Sequence, residues 1–155
     1  MKVIKLTQNK ETIVDDEDYE QLVQYNWYYH NGYAVRKSSR KTKDRKTLYL
    51  HRILLNPGNQ YIDHINGNKL DNRKENLRVA SRSQNAMNTN KLKNKTSIYK
   101  GVYLYKRTGK WIARISLNGK CYSLGCFVNE IDAAKAYDNA AIKFFGTFAN
   151  LNFKD

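Results

Sequence analysis

The sequence predicts an α+β fold in which a mixed N-terminal part precedes a three-stranded antiparallel sheet packed on one α-helix. Three observations predict it. Short runs of β-branched and aromatic residues are punctuated by Asn-Gly and Asn-containing turns, at His30-Asn31-Gly32, Asn66-Gly67 and Asn118-Gly119. One long helical pattern, Glu130 to Phe145, carries five alanines with Tyr137, Phe144 and Phe145. Between the parts, Asn88–Ser97 (NTNKLKNKTS) is basic and contains no acid, as an extended linker would.

In chain order, Val3–Leu6 and Thr12–Val14 read as short strands joined by a polar turn. Asp15-Asp16-Glu17-Asp18 then precedes Tyr19, Leu22 and Val23 at helical spacing, and acids in a first helical turn complement the helix dipole. Trp27–Tyr29 and Tyr33–Val35 flank a hairpin turn, and Arg36–Lys46 holds seven basic residues and one acid, the pattern of a solvated loop that also meets phosphates. Thr47–Leu55 is apolar, either strand or helix, and includes His51 in a packing or hydrogen-bonding role. Tyr61–His64 and Leu77–Ala80 are predicted to pair, with a type I′ turn at Asn66-Gly67, before a helix that Ser81 and Gln84 open as a capping box and that carries Asn85. This makes residues 1–47 a lead-in, 48–90 a β–β–α unit, 91–97 a linker and 98–155 a second domain.

In the second domain the strands are Tyr99–Tyr105, Lys110–Leu117 and Lys120–Phe127, followed by the helix with Asn129 as its cap. Alternation puts Val102, Leu104, Trp111, Ala113 and Ile115 toward the helix, and Tyr103, Tyr105, Ile112, Arg114 and Ser116 outward. Residues 91–155 hold twelve Lys+Arg and four Asp+Glu, and three of those acids lie on the helix or at its start. Positive charge therefore gathers on the outward sheet face.

Composition narrows the partner. The formal charge is +14, from 28 Lys+Arg against 14 Asp+Glu, which suits a polyanion, nucleic acid first. No apolar run approaches the ~18 residues of a membrane-spanning helix, and the start at Met1-Lys2-Val3 gives the expectation of no signal peptide and a cytoplasmic site of action. Two cysteines, Cys121 and Cys126, are too few for a zinc cage. Asp63, His64, Asn76 and Asn85 together offer what phosphodiester cleavage requires: oxygen ligands for a divalent cation and an imidazole base.

Asp63-His64, Asn66-Gly67, Asp71-Asn72-Arg73, Asn76-Leu77-Arg78 and Asn85 resemble the signature of HNH endonucleases of the phage and homing type. Tyr99-Lys100-Gly101-Val102, Gly109-Lys110-Trp111, Leu124–Phe127, Ala133–Asp138 and Leu151-Asn152-Phe153 resemble the APETALA2/ethylene-response-factor DNA-binding domain. The first resemblance implies a ββα-metal unit with His64 as general base, Asp63 and Asn85 holding Mg²⁺ or Mn²⁺, and Asn76 fixing the orientation of His64; His51, read from the residues alone, is a candidate supporting residue. Asn85, where many relatives have histidine, makes a zinc-bound site a poor fit. The second implies docking of the sheet into the major groove of double-stranded DNA, but where plant relatives present arginines this chain has Tyr103, Tyr105 and Ser116, so no base preference carries over; Lys100, Tyr103, Tyr105, Arg107, Lys110 and Arg114 are the candidate contacts on that face, and Tyr137 either touches the DNA backbone or packs helix on sheet. The expected protein is a phage-like DNA endonuclease acting as a monomer on DNA or as a homodimer. The competing readings are a non-catalytic DNA-binding regulator, in which the catalytic unit has decayed, and an RNA-processing protein.

Overall fold

The computed structural model describes residues 1–39, 45–88 and 96–153. It divides into two compact units, Met1–Arg82 and Ser83–Asp155. Residues 40–44 of the basic Arg36–Lys46 stretch and 91–95 of the linker lie outside the described residues.

In the first unit, β1 (Lys2–Lys5) and β2 (Glu11–Val14) pair antiparallel and precede α1 (Asp16–Val23). β3 (Tyr28–His30), β4 (Tyr33–Lys37) and β5 (Thr47–Tyr49) form a second antiparallel sheet, and β5 runs straight into α2 (Leu50–Leu55). The ambiguous Thr47–Leu55 stretch is thus strand for three residues and helix for six. Asn31 (φ 49°) and Gly32 (φ 92°) are both left-handed, as a type I′ turn between β3 and β4 requires. Ile4, Leu6, Val14, Leu22, Trp27, Ala34 and Leu50 form the core, and the Trp27 indole N–H donates to the Leu22 carbonyl at 2.8 Å. Arg36 lies over the Tyr25 ring, 4.0 Å from its centroid, so the first residue of the basic stretch is a packing cation.

β6 (Tyr61–His64) and β7 (Leu77–Ala80) pair antiparallel, with Asp63 opposite Arg78 and His64 opposite Leu77, and a single turn of 3₁₀ helix (Lys74–Asn76) leads into β7. The hairpin is stitched to the N-terminal strands by a parallel bridge between Ile13 and Asp71, through Ile13 N to Leu70 O at 2.9 Å and Asn72 N to Ile13 O at 2.8 Å. The acids before α1 do more than complement its dipole. Asp15 accepts the Lys74 backbone N–H at 2.7 Å, and the Lys74 ammonium pairs with Glu17 and Asp18.

α3 (Arg82–Met87) follows β7, and the division between the two compact units falls inside it. In the second unit β8 (Val102–Tyr105), β9 (Lys110–Leu117) and β10 (Lys120–Phe127) form an antiparallel sheet in the order β10-β9-β8, covered by α4 (Glu130–Phe145). The first strand is shorter than the sequence suggests because Gly101, at φ +75°, turns the chain where Tyr137 lies against it. A Cβ there would sit 2.0 Å from Tyr137 Cδ2. Tyr137 is 4% exposed, which settles it as a helix–sheet packing residue. Asn129 stands at the N-cap of α4 without a side-chain cap bond; its amide donates instead to Asp132. The buried Asp138 carboxylate accepts the backbone N–H groups of Asn152 and Phe153 and the Asn152 amide, so the C-terminal strap is tied to α4. Among the described residues no helix is long and apolar enough to cross a membrane.

Candidate active site

The loop between β6 and β7 is built from asparagines. The His64 carbonyl accepts the Gly67 N–H at 2.8 Å, which makes Ile65 and Asn66 the centre of the turn. Only Gly67 (φ 75°) is left-handed there, so the expected type I′ turn at Asn66-Gly67 is not formed. The reason is that the chain does not return at once. The Asn66 amide donates to Asp71 at 2.9 Å, its oxygen accepts the Asn68 N–H, and Arg73 clamps both Asp71 oxygens at 2.8 and 2.7 Å. The Arg73 bond outweighs burial and holds the Asp71 carboxyl below its usual range.

Asn76 is buried and bridges this loop. Its oxygen accepts the Asn66 N–H at 3.0 Å and its amide donates to the Asp71 carbonyl at 2.8 Å. The expectation that Asn76 orients the imidazole is therefore corrected: it fixes the backbone that follows His64. Asn72 meets the His64 ring at hydrogen-bond range, with Oδ1 at 3.3 Å from Nε2.

His64 is 6% exposed and His51, on α2, is 8% exposed. Their rings meet edge to face, with centroids 5.2 Å apart, and Tyr33 lies 5.2 Å from His51 and 6.3 Å from His64. His51 takes the packing role, as an aromatic wall beside the His64 ring. Burial, then the neighbouring His64, pushes the His51 imidazole down to about 3. Burial likewise lowers His64, against the raising effect of Asn72 and of the Asp63 and Asp71 carboxylates. Both rings are thus neutral at neutral pH, and a neutral imidazole is the form that accepts a proton.

Asp63 is 5% exposed, and one of its oxygens, Oδ2, accepts two bonds from Arg78, at 2.8 and 2.6 Å. Asn85 is half-buried on α3, in the second compact unit. Among the described residues no three His, Cys, Asp or Glu side chains cluster as metal ligands. The Asp63 carboxylate is a hard oxygen donor, the kind a Mg²⁺-like cation takes.

On the second unit, the outward face places Arg114 over the Tyr103 ring (4.9 Å) and Arg107 over Tyr105 (5.7 Å), with Lys110 exposed beside them. Lys100 departs from this set. Its ammonium donates to the Met87 carbonyl at the end of α3 at 2.6 Å, and burial lowers it to about 8. Lys100 is a tether of α3 rather than a free cation on the sheet. A cleft of about 840 Å³ is lined by Tyr103, Arg114 and Ser116 of the sheet and by Ser83, Ala86 and Met87 of α3.

Sequence reasoning gave Thr12 no part in the site and quoted Asn72 and Arg78 without a role. Asn72 had a signal, its place in the Asp71-Asn72-Arg73 triplet, whereas Thr12 had none, being 60 residues from its partner.

The fold and site define a chain in which a hairpin bearing an Asp-His pair precedes a sheet-and-helix unit with a basic, aromatic face. The profile of the HNH endonuclease family matches residues 56–87. An uncharacterised HNH endonuclease of Acanthamoeba polyphaga mimivirus is 31% identical over 136 residues, which cover 83% of this chain and 67% of that protein. The chain belongs to the HNH endonuclease family. Its C-terminal region is homologous to AP2-like proteins: an AP2-like ethylene-responsive transcription factor of Arabidopsis thaliana and APETALA2-like protein 2 of Oryza sativa are each 48% identical over 61 residues, 39% of this chain. The chain spans only 13% and 14% of those plant proteins.

Proposed function

We propose that the protein is a divalent-metal-dependent DNA endonuclease of the homing type. His64 acts as general base, Asp63 and Asn85 hold a Mg²⁺ or Mn²⁺ ion, and the second unit binds duplex DNA through Tyr103, Tyr105, Arg107, Lys110 and Arg114. The observation that carries the reading is a buried His64 held by Asn72 beside the buried carboxylate of Asp63. The cation, when bound, stabilises charge on the scissile phosphate and on the departing 3′-oxygen. His64 takes the proton of the attacking water, His51 and Tyr33 wall its ring, and Asn76 keeps the loop rigid behind it. One catalytic unit per chain cuts one strand per binding event, so nicking is the expected first product.

Supercoiled DNA incubated with Mg²⁺ or Mn²⁺ tests this, beside EDTA and His64→Ala controls. Because burial lowers His64, cleavage should hold as pH falls to about 6.5, the ordinary histidine value, and decline only below it. A decline complete above that value counts against His64 as the base. The Arg78–Asp63 pair favours one second reading, a DNA-binding regulator whose carboxylate is committed to arginine. Tight duplex binding without metal-dependent cleavage of any substrate would select it.

A further inference from the structure

We infer that Thr12, on β2, decides which nitrogen of His64 carries the proton, and so makes Nδ1 the basic atom. The inference rests on the proposed role of His64 as base. Thr12 is fully buried, and its hydroxyl donates to the Leu70 carbonyl at 2.8 Å. A carbonyl only accepts, so the single hydroxyl hydrogen is committed there and Oγ1 presents lone pairs to its other neighbour. That neighbour is the Asn72 side chain, at 2.7 Å, which must therefore turn its NH₂ toward Thr12. Asn72 is 1% exposed, and its backbone is fixed by its own N–H on the Ile13 carbonyl.

With the NH₂ on Thr12, Oδ1 faces His64 Nε2 at 3.3 Å. An amide oxygen only accepts, so Nε2 is the donor and the lone pair of the neutral ring sits on Nδ1. In the reaction, the O–H bond of the water breaks as the Nδ1–H bond forms, and the oxygen's electron pair enters the new P–O bond. The 3′-oxygen leaves with the electrons of the broken P–O bond and takes a proton from solvent. The imidazolium keeps its Nε2–H on Asn72, where the bond becomes charge-assisted. Thr12 and Asn72 are positioning residues: neither needs to touch DNA.

The test is the tautomer itself. The full chain, labelled with ¹⁵N-histidine and free of metal, is examined by long-range ¹H–¹⁵N NMR at about pH 8, where the ring is neutral. Wild type should show a protonated, pyrrole-like Nε2 and an unprotonated, pyridine-like Nδ1 on His64. Thr12→Ser keeps the hydroxyl and should preserve this pattern. Thr12→Val frees the Asn72 amide to turn and should bring both nitrogens to intermediate shifts. Its single-turnover cleavage should fall roughly tenfold, short of the 10²–10⁴ for losing a base outright, with duplex affinity unchanged. A protonated Nδ1 in wild type overturns the inference, as does a pure Nε2–H form in Thr12→Val. If Thr12→Val does not fold, Thr12→Ala, which also removes the hydroxyl, takes its place, and a pure Nε2–H form there overturns the inference in the same way. Cleavage that survives His64→Ala sinks the base assignment instead, and the tautomer readout is independent of it.

Discussion

Arg78→Met removes the guanidinium from Asp63 and keeps the aliphatic stem. Arg78 and Asp63 are 16% and 6% exposed at the side chain, and one carboxylate oxygen takes both guanidinium bonds. Removing one member of a buried pair leaves the other charge desolvated and costs about 3–5 kcal/mol. The partial exposure of Arg78 puts the expected loss near the lower end, about 3 kcal/mol. For a unit of this size, roughly 4–8 °C per kcal/mol predicts a midpoint lower by about 12–24 °C. Trp27 belongs to the first unit and Trp111 to the second, so in a Trp111→Phe background the fluorescence of Trp27 follows the first unit alone. Adding Asp63→Asn to Arg78→Met removes the stranded charge and should recover part of the loss. Millimolar Mg²⁺ should raise the midpoint of Arg78→Met more than that of wild type, because a cation at Asp63 supplies the missing positive charge. A loss below about 1 kcal/mol, with no coupling to Asp63→Asn, would refute the reasoning.

Both buried histidines are held below their unfolded value of about 6.5, His51 down to about 3. Their contribution is present above that value and is lost as pH falls from it toward the folded values, since only the unfolded chain takes up the protons. The first unit should thus lose up to about 1.4 kcal/mol per pH unit per histidine below pH ~6, and His51→Gln should flatten the slope seen in urea unfolding at several pH values. Gly101→Ala places a methyl group on Tyr137 and on the Arg114 carbonyl at a left-handed φ, and calorimetry should show the second unit destabilised by more than about 2 kcal/mol. Replacing Arg107, Lys110 or Arg114 with Ala should weaken duplex binding and lower the log–log salt slope by about 0.9 for each phosphate no longer neutralised. Lys100→Met, by contrast, should leave that slope unchanged, because its ammonium is spent on Met87.

In the second unit β9, β10 and α4 were legible to the residue, while β8 begins three residues later than expected. β9, β10 and α4 begin and end where alternation, turn residues and the alanine pattern place them, and Asn118 (φ 50°) and Gly119 (φ 77°) make the turn their sequence announces. These are local signals, each decided within a few residues. The hairpin of β6 and β7 was legible to the residue, but the wiring of its side chains was not. Asp15, Glu17 and Asp18 read as helix-dipole acids because nothing nearby reveals that Lys74 lies among them. Thr12 is one polar residue in a strand until the parallel bridge at Ile13 brings it to Asn72. Lys100 reads as one more basic residue on a basic face, and only the path of α3 turns it inward. Asn76 carries the loop, and the orienting role belongs to a neighbour four residues earlier. Long-range pairing decides such roles, and periodicity does not report it.

The central claim is that His64 and a divalent cation cut DNA. Cleavage of supercoiled plasmid or phage DNA, with Mg²⁺ or Mn²⁺ against EDTA, for wild type and His64→Ala, tests it most directly. The account predicts nicked product from wild type with metal and none from either control, while His64→Ala still retards duplex DNA on a gel. Product that persists at the wild-type rate in His64→Ala, or in EDTA, would contradict it.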